Sequence, residues 1–499
     1  MRKLTLFILS LLTAASITLT VFYFKTYLAI LTFLITAITF LGIHDAVQTE
    51  HSLLRNFPIL AKLRWVFESQ RDKIRQYFNE SDLDGVPFNR EQRSIVYQRS
   101  KNEIETIPFG TKHNVYENGH EFIGHSIFPK TTILGERILI GSKHCKQPYG
   151  SSILNISAMS YGSLSGAAIR ALNKGAKEGR FAHNTGEGGI SPHHLQGGDL
   201  IFQIGTGYFG AGKSERGQRV FDEAMFRVNA NHPQVKMIEL KISQGAKPAH
   251  GGILPAKKNT EEIAEIRGIE PGVTVDSPPY HSAFSNFEEL VEFITKLRTL
   301  SNGKPVGIKF CVGQKAEITE MFEIFKEKDV YPDFITVDGS EGGTGSAPPE
   351  HTNYVGFPLA DGLFFVVEEL KRLGLKKEIR VIGAGKIIDS YDIFRALSLG
   401  ADGVNMARGF MFSLGCIQAL ECNLDTCPVG VATQNKELER GLVVADKYKR
   451  VYNFHRNTIK KFKEFVGSFG ITYISDVDAS MINRRDAGKV INLREFMSK

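Results

Sequence analysis

The amino-acid sequence predicts an α/β protein, a (β/α)8 TIM barrel preceded by an N-terminal transmembrane helical hairpin. Short apolar runs alternate with helical patterns from Ser152 onward, glycine-rich or polar sequences follow those runs, and two long apolar stretches precede them. Alternating strands and helices imply a parallel sheet, either open or closed into a barrel. Closure is favoured because loops of this composition follow one predicted strand after another.

Length and composition indicate a globular body with a well-buried core. The chain has 499 residues, 42% of them hydrophobic, and a formal net charge of +7. No basic stretch is interleaved with aromatic residues, so nucleic-acid binding is not expected. The five scattered cysteines argue against a secreted disulfide framework and for a reducing compartment.

The hairpin is predicted from two uncharged apolar runs, residues 4–24 and 27–43, with Lys25 and Thr26 between them. The first run matches the roughly 20 residues that a helix needs to cross a bilayer. A cleaved signal peptide is the alternative, but its apolar region would be shorter and no second span would follow at once.

Basic residues flank the hairpin on both sides, with Arg2 and Lys3 before it and Arg55, Lys62 and Arg64 after it. The positive-inside rule then places both ends on the cytoplasmic side. We therefore expect a membrane-anchored protein whose catalytic domain is cytoplasmic.

The segment over residues 53–78 has an amphipathic helical pattern, with Trp65 near its centre and Pro58 as an interruption. It either lies on the membrane surface or packs on the body as an ordinary helix. The predicted organisation is a transmembrane hairpin over 1–48, a linker and pre-barrel region over 49–147, the barrel with its cysteine segment over 148–440, and a helical tail over 441–499.

Six apolar runs are predicted to be buried parallel strands. They are residues 153–157, 237–242, 306–311, 334–337, 380–382 and 403–406. Ser165 is expected to cap a helix that Gly179 follows, and Ser285 and Glu288 to form a capping box. Gly400 is expected to end a further helix.

Two of the loops after the predicted strands are suited to a phosphate group. GAGK at 383–386 and ARG at 407–409 follow the last two predicted strands, the places where an eight-fold barrel often holds a phosphate. Glycines there let backbone N–H groups approach closely, while Lys386 and Arg408 add positive charge. We therefore expect a ligand that carries a phosphate.

A second glycine-rich stretch offers a competing hypothesis. Residues 207–214 read GYFGAGKS, which fits the P-loop pattern, and GTGYFG at 205–210 fits the dinucleotide pattern. Neither of the carboxylates that these sites require is evident, since a charged helix is expected after Ser214. A P-loop nucleotide triphosphatase that uses Lys213 stays open as an alternative function.

The sharpest metal-binding signal is the segment CIQALECNLDTCP, directly after the last predicted strand. It spaces Cys416, Cys422 and Cys427 at intervals of six and five residues. Three soft ligands this close together suit an iron–sulfur cluster or zinc. Structural zinc normally takes a fourth ligand, and the nearest downstream histidine is His455. Buried structural cysteines, or a non-catalytic membrane scaffold with zinc-binding cysteines, are the alternatives.

A series of motifs over residues 148–434 resembles the synthase domain of glutamate synthase. In order they are ISAMSYGSLS, NTGEGG, KISQGAKPAHGGILP, PGV followed by SPPYH, DGSEGGTGSAPP and CNLDTCPVGVATQ. The chain is similar to the stand-alone FMN-binding glutamate synthase family, which corresponds to the synthase domain of ferredoxin-type enzymes. The resemblance implies an eight-fold barrel, FMN, and a 3Fe-4S cluster on the three cysteines that passes electrons to the flavin.

The resemblance also implies individual roles by position. Lys247 and Arg267 match the family's positions for holding an oxoacid substrate, and Glu187 matches a residue near that substrate. A lysine near the flavin is expected because it stabilises the anionic reduced ring. The implied flavin ring contacts are Ala158, Met159, Ser160, Lys241, Gln244 and Lys309, and the implied phosphate contacts are Gly342, Gly343, Gly383, Gly385 and Arg408.

Two departures from the family pattern bear on function. Where the family is expected to read GAKPGEGGQLPG, this chain reads GAKPAHGGILPA, so a substrate-facing glutamine is Ile253 and a nearby glutamate is His250. The family's glutaminase domain has no counterpart here, so ammonia must come free or from a partner. The expected reaction is reductive amination of 2-oxoglutarate, or a related oxoacid or imine, to glutamate. The expected electron donor is a ferredoxin or a separate reductase, since no Rossmann domain is recognisable.

Overall fold

The computed structural model describes residues 2–133, 137–215 and 218–498. The chain divides into two compact units, residues 1–90 and residues 91–499. The first unit begins with the helices Arg2–Tyr23 and Thr26–Val47, which are long and apolar enough to cross a membrane by length and composition. Most of their large apolar side chains are exposed.

Threonine pairs join these two long helices. The hydroxyl oxygens of Thr13 and Thr39 lie 2.8 Å apart, and so do those of Thr20 and Thr32. Hydroxyl pairs of this kind hold apolar helices together where other side chains offer van der Waals contact alone.

The rest of the first unit consists of the helices Ser52–Asn56 and Lys62–Ile74 and the π-helical turn Arg75–Asn79. The helical pattern predicted over 53–78 is therefore interrupted near Pro58, which lacks a backbone N–H donor. Asp45, which is buried, accepts a hydrogen bond from the Ile59 N–H at 3.0 Å and lies 2.9 Å from Lys62 Nζ. These two contacts hold the start of the helix Lys62–Ile74 against the end of the helix Thr26–Val47.

The body of the chain is a closed barrel of eight parallel strands. In chain order they are β1 (Leu154–Ile156), β2 (His183–Asn184), β3 (Leu200–Ile204), β4 (Val235–Lys241), β5 (Val306–Phe310), β6 (Phe334–Asp338), β7 (Arg380–Ala384) and β8 (Gly403–Met406). Each strand pairs with its neighbours in chain order, and β8 closes the barrel against β1. The predicted (β/α)8 TIM barrel is confirmed.

Helices follow the strands around the barrel, although turns alone join β2 to β3. They are Gly166–Gly179 after β1, Glu223–Ala230 after β3, Glu261–Arg267 and Phe287–Leu300 after β4, Lys315–Lys328 after β5, Pro349–Tyr354 and Leu359–Arg372 after β6, Ser390–Ser398 after β7, and Arg408–Leu414 after β8. Ser165 caps the first of these through the Ala168 N–H, as predicted. The cap of Phe287–Leu300 is Asn286 rather than Ser285, so the predicted capping box is wrong.

Segments outside the barrel complete the second unit. The long helix Val444–Gly467 packs on Gly166–Gly179, where the missing side chain of Gly175 leaves room for Val451. The remaining elements are the helices Arg90–Lys101, Lys436–Glu439 and Leu493–Met497, the strand pairs Ile138–Ile140 with Tyr149–Ser151 and Ile253–Leu254 with Val275–Asp276, and a sheet of Glu121–Ile123, Ile482–Asp486 and Lys489–Asn492.

A buried carboxylate ties the strands together inside the barrel. Glu239 on β4 accepts hydrogen bonds from Asn184 on β2 and Gln203 on β3, each at 2.7 Å, and from Thr336 on β6 at 2.6 Å. All four side chains are buried, and each satisfies part of another's hydrogen-bonding capacity. Lys241 lies two residues further along β4 and so points to the same side of the strand, at its carboxyl end.

Candidate active site

Four charged side chains meet at the carboxyl ends of the barrel strands. Glu187 follows β2, and its carboxylate accepts a hydrogen bond of 2.7 Å from Nζ of Lys241, the last residue of β4. Lys247 and Arg267 come from the segment after β4, and their charges reach the same carboxylate. We call these four residues the Glu187 cluster. It brings together the three residues predicted for the substrate site.

Glu187 is held ionised within this cluster. Burial raises the pKa of the carboxyl group, but the charge and hydrogen bond of Lys241 outweigh burial and bring the pKa below its usual value. Two glycines make room for it: a Cβ at Gly205 would lie 2.5 Å from Oε2, and one at Gly252 would lie 2.7 Å from Oε1. A side chain at either glycine would therefore displace the carboxylate.

Lys247 is the most deeply buried cation of the cluster, with 1% of its surface exposed. Burial lowers its pKa to about 8, since water no longer solvates the ammonium; the Glu187 charge opposes this effect and the Lys241 charge adds to it. Among the described residues its ammonium has no hydrogen-bond partner. Lys247 therefore titrates close to neutral pH and has donors free for a ligand.

Arg267 is buried against the loop after β1. Its Nη2 donates to the Tyr161 carbonyl at 3.0 Å, and its guanidinium carbon lies 5.0 Å from the centre of the Phe209 ring. Its Nε is buried and has no hydrogen-bond partner within the described part of the chain. Burial lowers the pKa of Arg267 to about 10, so the side chain stays cationic at neutral pH.

A second lysine lies beside the cluster. Lys309 on β5 is in register with Lys241, and its Nζ lies 3.3 Å from Oδ2 of Asp338 at the end of β6. Burial lowers its pKa, but the charges of Asp338 and other carboxylates outweigh burial and bring the pKa above its usual value. The same Asp338 oxygen accepts from the Gly245 N–H at 2.9 Å. Gln244, the residue before Gly245, has a buried Nε2 without a partner among the described residues.

The loops after β6, β7 and β8 meet at the predicted phosphate site. The Arg408 guanidinium lies so close to Gly343 that a Cβ there would overlap it, and Nη2 is 3.4 Å from the Thr344 carbonyl. Gly385 has a φ of +150°, and a Cβ added at Gly385 would lie 3.3 Å from the backbone of Gly339. The other two predicted phosphate contacts, Gly342 and Gly383, lie on the β6 loop and on β7.

The loop after β1 carries the predicted flavin contacts Ala158, Met159 and Ser160. It lies directly against the loop that carries Glu187: the Met159 N–H donates to the Asn184 carbonyl at 3.3 Å. At Gly186, where φ is +64°, a Cβ would lie 2.7 Å from the Ser160 nitrogen. The predicted flavin contacts thus border the Glu187 cluster.

The three predicted metal ligands follow the helix after β8. Cys427 is buried, while Cys416 and Cys422 are partly exposed. The pKa of the Cys416 thiol is raised to about 11, chiefly by burial and to a smaller extent by the charges of Cys422 and Cys427, so the three thiols lie near one another. Within the described ranges, no three His, Cys, Asp or Glu residues form a group that could hold a single metal ion.

The P-loop match does not form a phosphate cradle. Its end lies in a pair of antiparallel strands, Gly212–Glu215 and Gln218–Phe221. Lys213 is exposed there and pairs with Glu215 at 3.0 Å and Asp222 at 3.4 Å. A P-loop leads directly into a helix, whereas here the helix begins at Glu223. The charged helix predicted directly after the motif is therefore wrong, and residues 216 and 217 of it lie outside the described residues.

Sequence reasoning missed a buried lysine beside the cysteine segment. Lys258 is 2% exposed, and its ammonium donates to the carbonyls of Ser163 at 2.7 Å, Cys422 at 3.1 Å and Ala432 at 3.0 Å. These acceptors come from segments far apart in the sequence. No local pattern around Lys258 could have indicated them.

A second missed residue supports the end of β4. His281, in the SPPYH motif, lies 2.9 Å from the Lys241 carbonyl through Nε2 and 2.9 Å from the Tyr208 hydroxyl through Nδ1. Burial lowers its pKa to about 4, so the ring is neutral at pH 7. Nε2–H then donates to the carbonyl, and Nδ1 accepts from Tyr208. The motif was part of the resemblance, but nothing in it indicated this contact.

Comparison with known families decides the relationship. The model described as "Conserved region in glutamate synthase" matches residues 135–472, more than half of the chain. The chain belongs to the glutamate synthase family. The resemblance drawn from the motifs is thereby confirmed. The glutamate synthase large subunit-like protein YerD of Bacillus subtilis (strain 168) is 37% identical, over 90% of this chain and 93% of that protein.

Other members of the glutamate synthase family are matched over part of their length. The archaeal glutamate synthase (NADPH) of Methanocaldococcus jannaschii is 33% identical over 68% of this chain and 62% of that one, so the chain spans less than two thirds of that relative. Among solved structures, a mutant flavocytochrome b2 with pyruvate bound is 13% identical, with a TM-score of 0.43 over 86% of this chain and 87% of that one.

Proposed function

We propose that this chain is an FMN- and iron–sulfur-dependent oxidoreductase that reductively aminates 2-oxoglutarate, or a related oxoacid or imine, to glutamate or the corresponding amino acid. Its family supports glutamate synthase-like chemistry. The observation that carries the proposal is the Glu187 cluster, in which three cations surround one carboxylate at the carboxyl end of the barrel. With all four groups ionised, three positive charges against one negative leave +2, which suits a dicarboxylate.

The residues present fit FMN. The buried Gln244 Nε2 is a donor with no acceptor among the residues that the structure describes, and Lys309 is a buried cation near it at the carboxyl ends of the strands. Arg408, packed against Gly343, offers a cation and a close backbone approach to a phosphate. When bound, FMN supplies the two electrons of the reaction. Its ring would be flanked by Ala158, Met159 and Ser160, and its phosphate held by Gly342, Gly343, Gly383, Gly385 and Arg408.

The cations of the cluster would bind and orient the substrate. An oxoacid and ammonia lose water to form an imine, and two electrons and two protons then complete the amino acid. Within the described part of the chain, Arg267 Nε and the Lys247 ammonium have no hydrogen-bond partner, so each could bind one carboxylate. Because the pKa of Lys247 is about 8, this side chain can also hold or release a proton near neutral pH.

Cys416, Cys422 and Cys427 would hold a 3Fe-4S cluster, whose chemistry is one-electron transfer. We propose a ferredoxin or a separate reductase as the donor of those electrons, and free ammonia or an ammonia-supplying partner as the source of nitrogen. The donor is tested by reducing the enzyme with reduced ferredoxin and, separately, with NADPH alone. Direct reduction by NADPH would contradict the proposed donor.

The overall test is spectroscopic. The purified protein should be brown-yellow, contain iron and sulfide, and after reduction be reoxidised by an oxoacid together with ammonia. The variant Lys213→Ala serves as the control, because Lys213 lies in an exposed strand pair and should leave flavin content unchanged. A colourless protein that regains neither flavin nor iron on reconstitution would refute the proposal.

The choice of oxoacid is tested at Ile253. This residue pairs with Asp276 in a short antiparallel strand pair, and nearby His250 packs edge-on against His351, with ring centres 5.2 Å apart. An apolar residue discriminates weakly between acids, whereas an amide that bonds the substrate discriminates strongly. Ile253→Gln should therefore increase the preference for 2-oxoglutarate over monocarboxylic oxoacids. An unchanged preference would show that Ile253 does not face the substrate.

We also propose that the hairpin anchors the enzyme in a membrane, with the barrel in the cytoplasm. Both helices have 22 residues and a mean hydropathy of 2.1 in their most apolar window, and few of their residues are buried. The full-length protein should stay in the membrane fraction after a carbonate wash, and its carboxyl terminus should be cleaved by protease in inverted vesicles only. Release by carbonate would contradict anchoring.

The two alternative functions have less support. The triphosphatase requires a phosphate cradle around Lys213, which instead pairs with Glu215 and Asp222 on the surface. The scaffold with zinc-binding cysteines requires several ligands around one ion, a group that the described residues do not form. Metal analysis of the purified protein separates zinc from iron directly.

A further inference from the structure

We infer that Lys258 is a positioning residue that binds the cysteine segment to the loop after β1 and raises the reduction potential of the proposed iron–sulfur cluster. The inference rests on the proposed iron–sulfur cluster. Lys258 ends the 3-10 turn Ala256–Lys258, and its buried ammonium donates to three backbone carbonyls.

The three acceptors define what Lys258 joins. Ser163 belongs to the loop that carries the predicted flavin contacts, and its carbonyl is 2.7 Å from Nζ. Cys422 is a predicted cluster ligand, and its carbonyl is 3.1 Å away; the carbonyl of Ala432, just beyond the cysteines, is 3.0 Å away. The Lys258 side chain therefore joins the loop after β1 to the cysteine segment at two points, one before and one after Cys427 in the sequence.

Neutral contacts join the same two segments. Gln434 Nε2 donates to the carbonyls of Gly162 at 3.2 Å and Leu164 at 2.9 Å, and Ser165 Oγ donates to the Gly430 carbonyl at 2.7 Å. These bonds would hold the segments together without any charge. A positive charge at Lys258 is therefore not needed merely to hold these two segments together.

The charge has a function if the neighbouring group is negative. An ammonium has three donors, and here all three are satisfied by carbonyl groups, which carry no net charge. Burying such a charge is unfavourable unless an opposite charge lies nearby. The Asp425 carboxylate is one opposite charge that reaches Lys258. A cluster held by the three thiolates would add further negative charge beside Lys258, and would gain more on reduction. A fixed cation beside Cys422 stabilises the reduced form and so raises the reduction potential.

The test compares three full-length variants with the wild type. Lys258→Met removes both the charge and the donors, and Lys258→Gln keeps amide donors without the charge. Lys257→Met is the matched control, because Lys257 is the adjacent residue and is exposed. Each protein is titrated to obtain the midpoint potential of the cluster by electron paramagnetic resonance, and iron release to a chelator is timed.

Both Lys258 variants should have a more negative midpoint potential than the wild type, and Lys258→Met should also release iron several-fold faster. Lys257→Met should match the wild type in both measurements. Wild-type values in both Lys258 variants would overturn the inference, and so would misfolding of both beside a folded Lys257→Met, since Lys258 would then be structural. A wild-type protein without iron or a cluster signal after reconstitution would instead refute the proposed function.

Discussion

The pH dependence of oxoacid binding tests the Glu187 cluster most directly. Lys247 is 1% exposed, and burial lowers its pKa to about 8. If the substrate carboxylate binds the ammonium form alone, the competent fraction falls from about nine-tenths at pH 7 to about one-tenth at pH 9. The dissociation constant should therefore rise about tenfold, or about 1.4 kcal/mol.

The direction of this effect follows from linkage. An anion bound to Lys247 favours the ammonium, so the pKa of the complex is higher than the pKa of the free enzyme. Affinity is then constant well below pH 8 and falls as the pH rises through the free-enzyme pKa. Arg267 has a pKa of about 10, so it stays charged over most of this range.

Isothermal titration of the oxidised enzyme with 2-oxoglutarate, from pH 6.5 to pH 9, measures the effect without turnover. Lys247→Arg should bind with nearly constant affinity, because a guanidinium does not lose its proton in this range. Lys247→Met should bind weakly at every pH. The reasoning is refuted if wild-type affinity is the same at pH 7 and pH 9, or if Lys247→Arg shows the same fall.

Three further predictions concern flavin retention and stability. Gly343→Ala should lower FMN content on purification, measured by visible absorbance, because its Cβ would overlap the Arg408 guanidinium; full content would contradict the assigned phosphate site. Asp333→Ala should lower the free energy of unfolding by about 3–5 kcal/mol in urea denaturation, because it leaves the buried Arg298 charge without its partner 3.1 Å away. Lys213→Ala should leave the FMN content and the free energy of unfolding unchanged. A change in either would contradict the conclusion that Lys213 is only a surface residue.

Strand positions were predictable where the strands are apolar and of ordinary length. The structure has β8 at the predicted residues, and β4 to β7 differ from the predictions at their ends. Two strands were not among the six predicted, β2 (His183–Asn184) and β3 (Leu200–Ile204), so an apolar sequence alone did not suffice for β3. For β2, two polar residues carry no periodic signal. Its position depends on pairing with β1 and β3, which is a property of the closed barrel rather than of the local sequence.

The residues of the site could be predicted where a motif or the family resemblance identifies them. Glu187 and Lys247 lie in motifs that carry the resemblance, and Arg267 was named from its position in the family. The structure brings the three together, although their roles stay predictions. Lys258 and His281 were not singled out, because their partners are backbone carbonyls from other segments. A carbonyl acceptor is available at every residue and leaves no trace in a sequence, so contacts of this type require the fold.

The charges of the Glu187 cluster explain why a carboxylate is retained in a site that should bind an acid. Three buried cations with no anion among them would repel one another and destabilise the fold. Glu187 offsets one charge through its 2.7 Å bond to Lys241, and Lys247 and Arg267 keep donors that have no partner among the described residues. The proposed dicarboxylate would bring −2 against the remaining +2 and neutralise the site. The same arithmetic disfavours a monocarboxylate, which would leave one buried cation uncompensated.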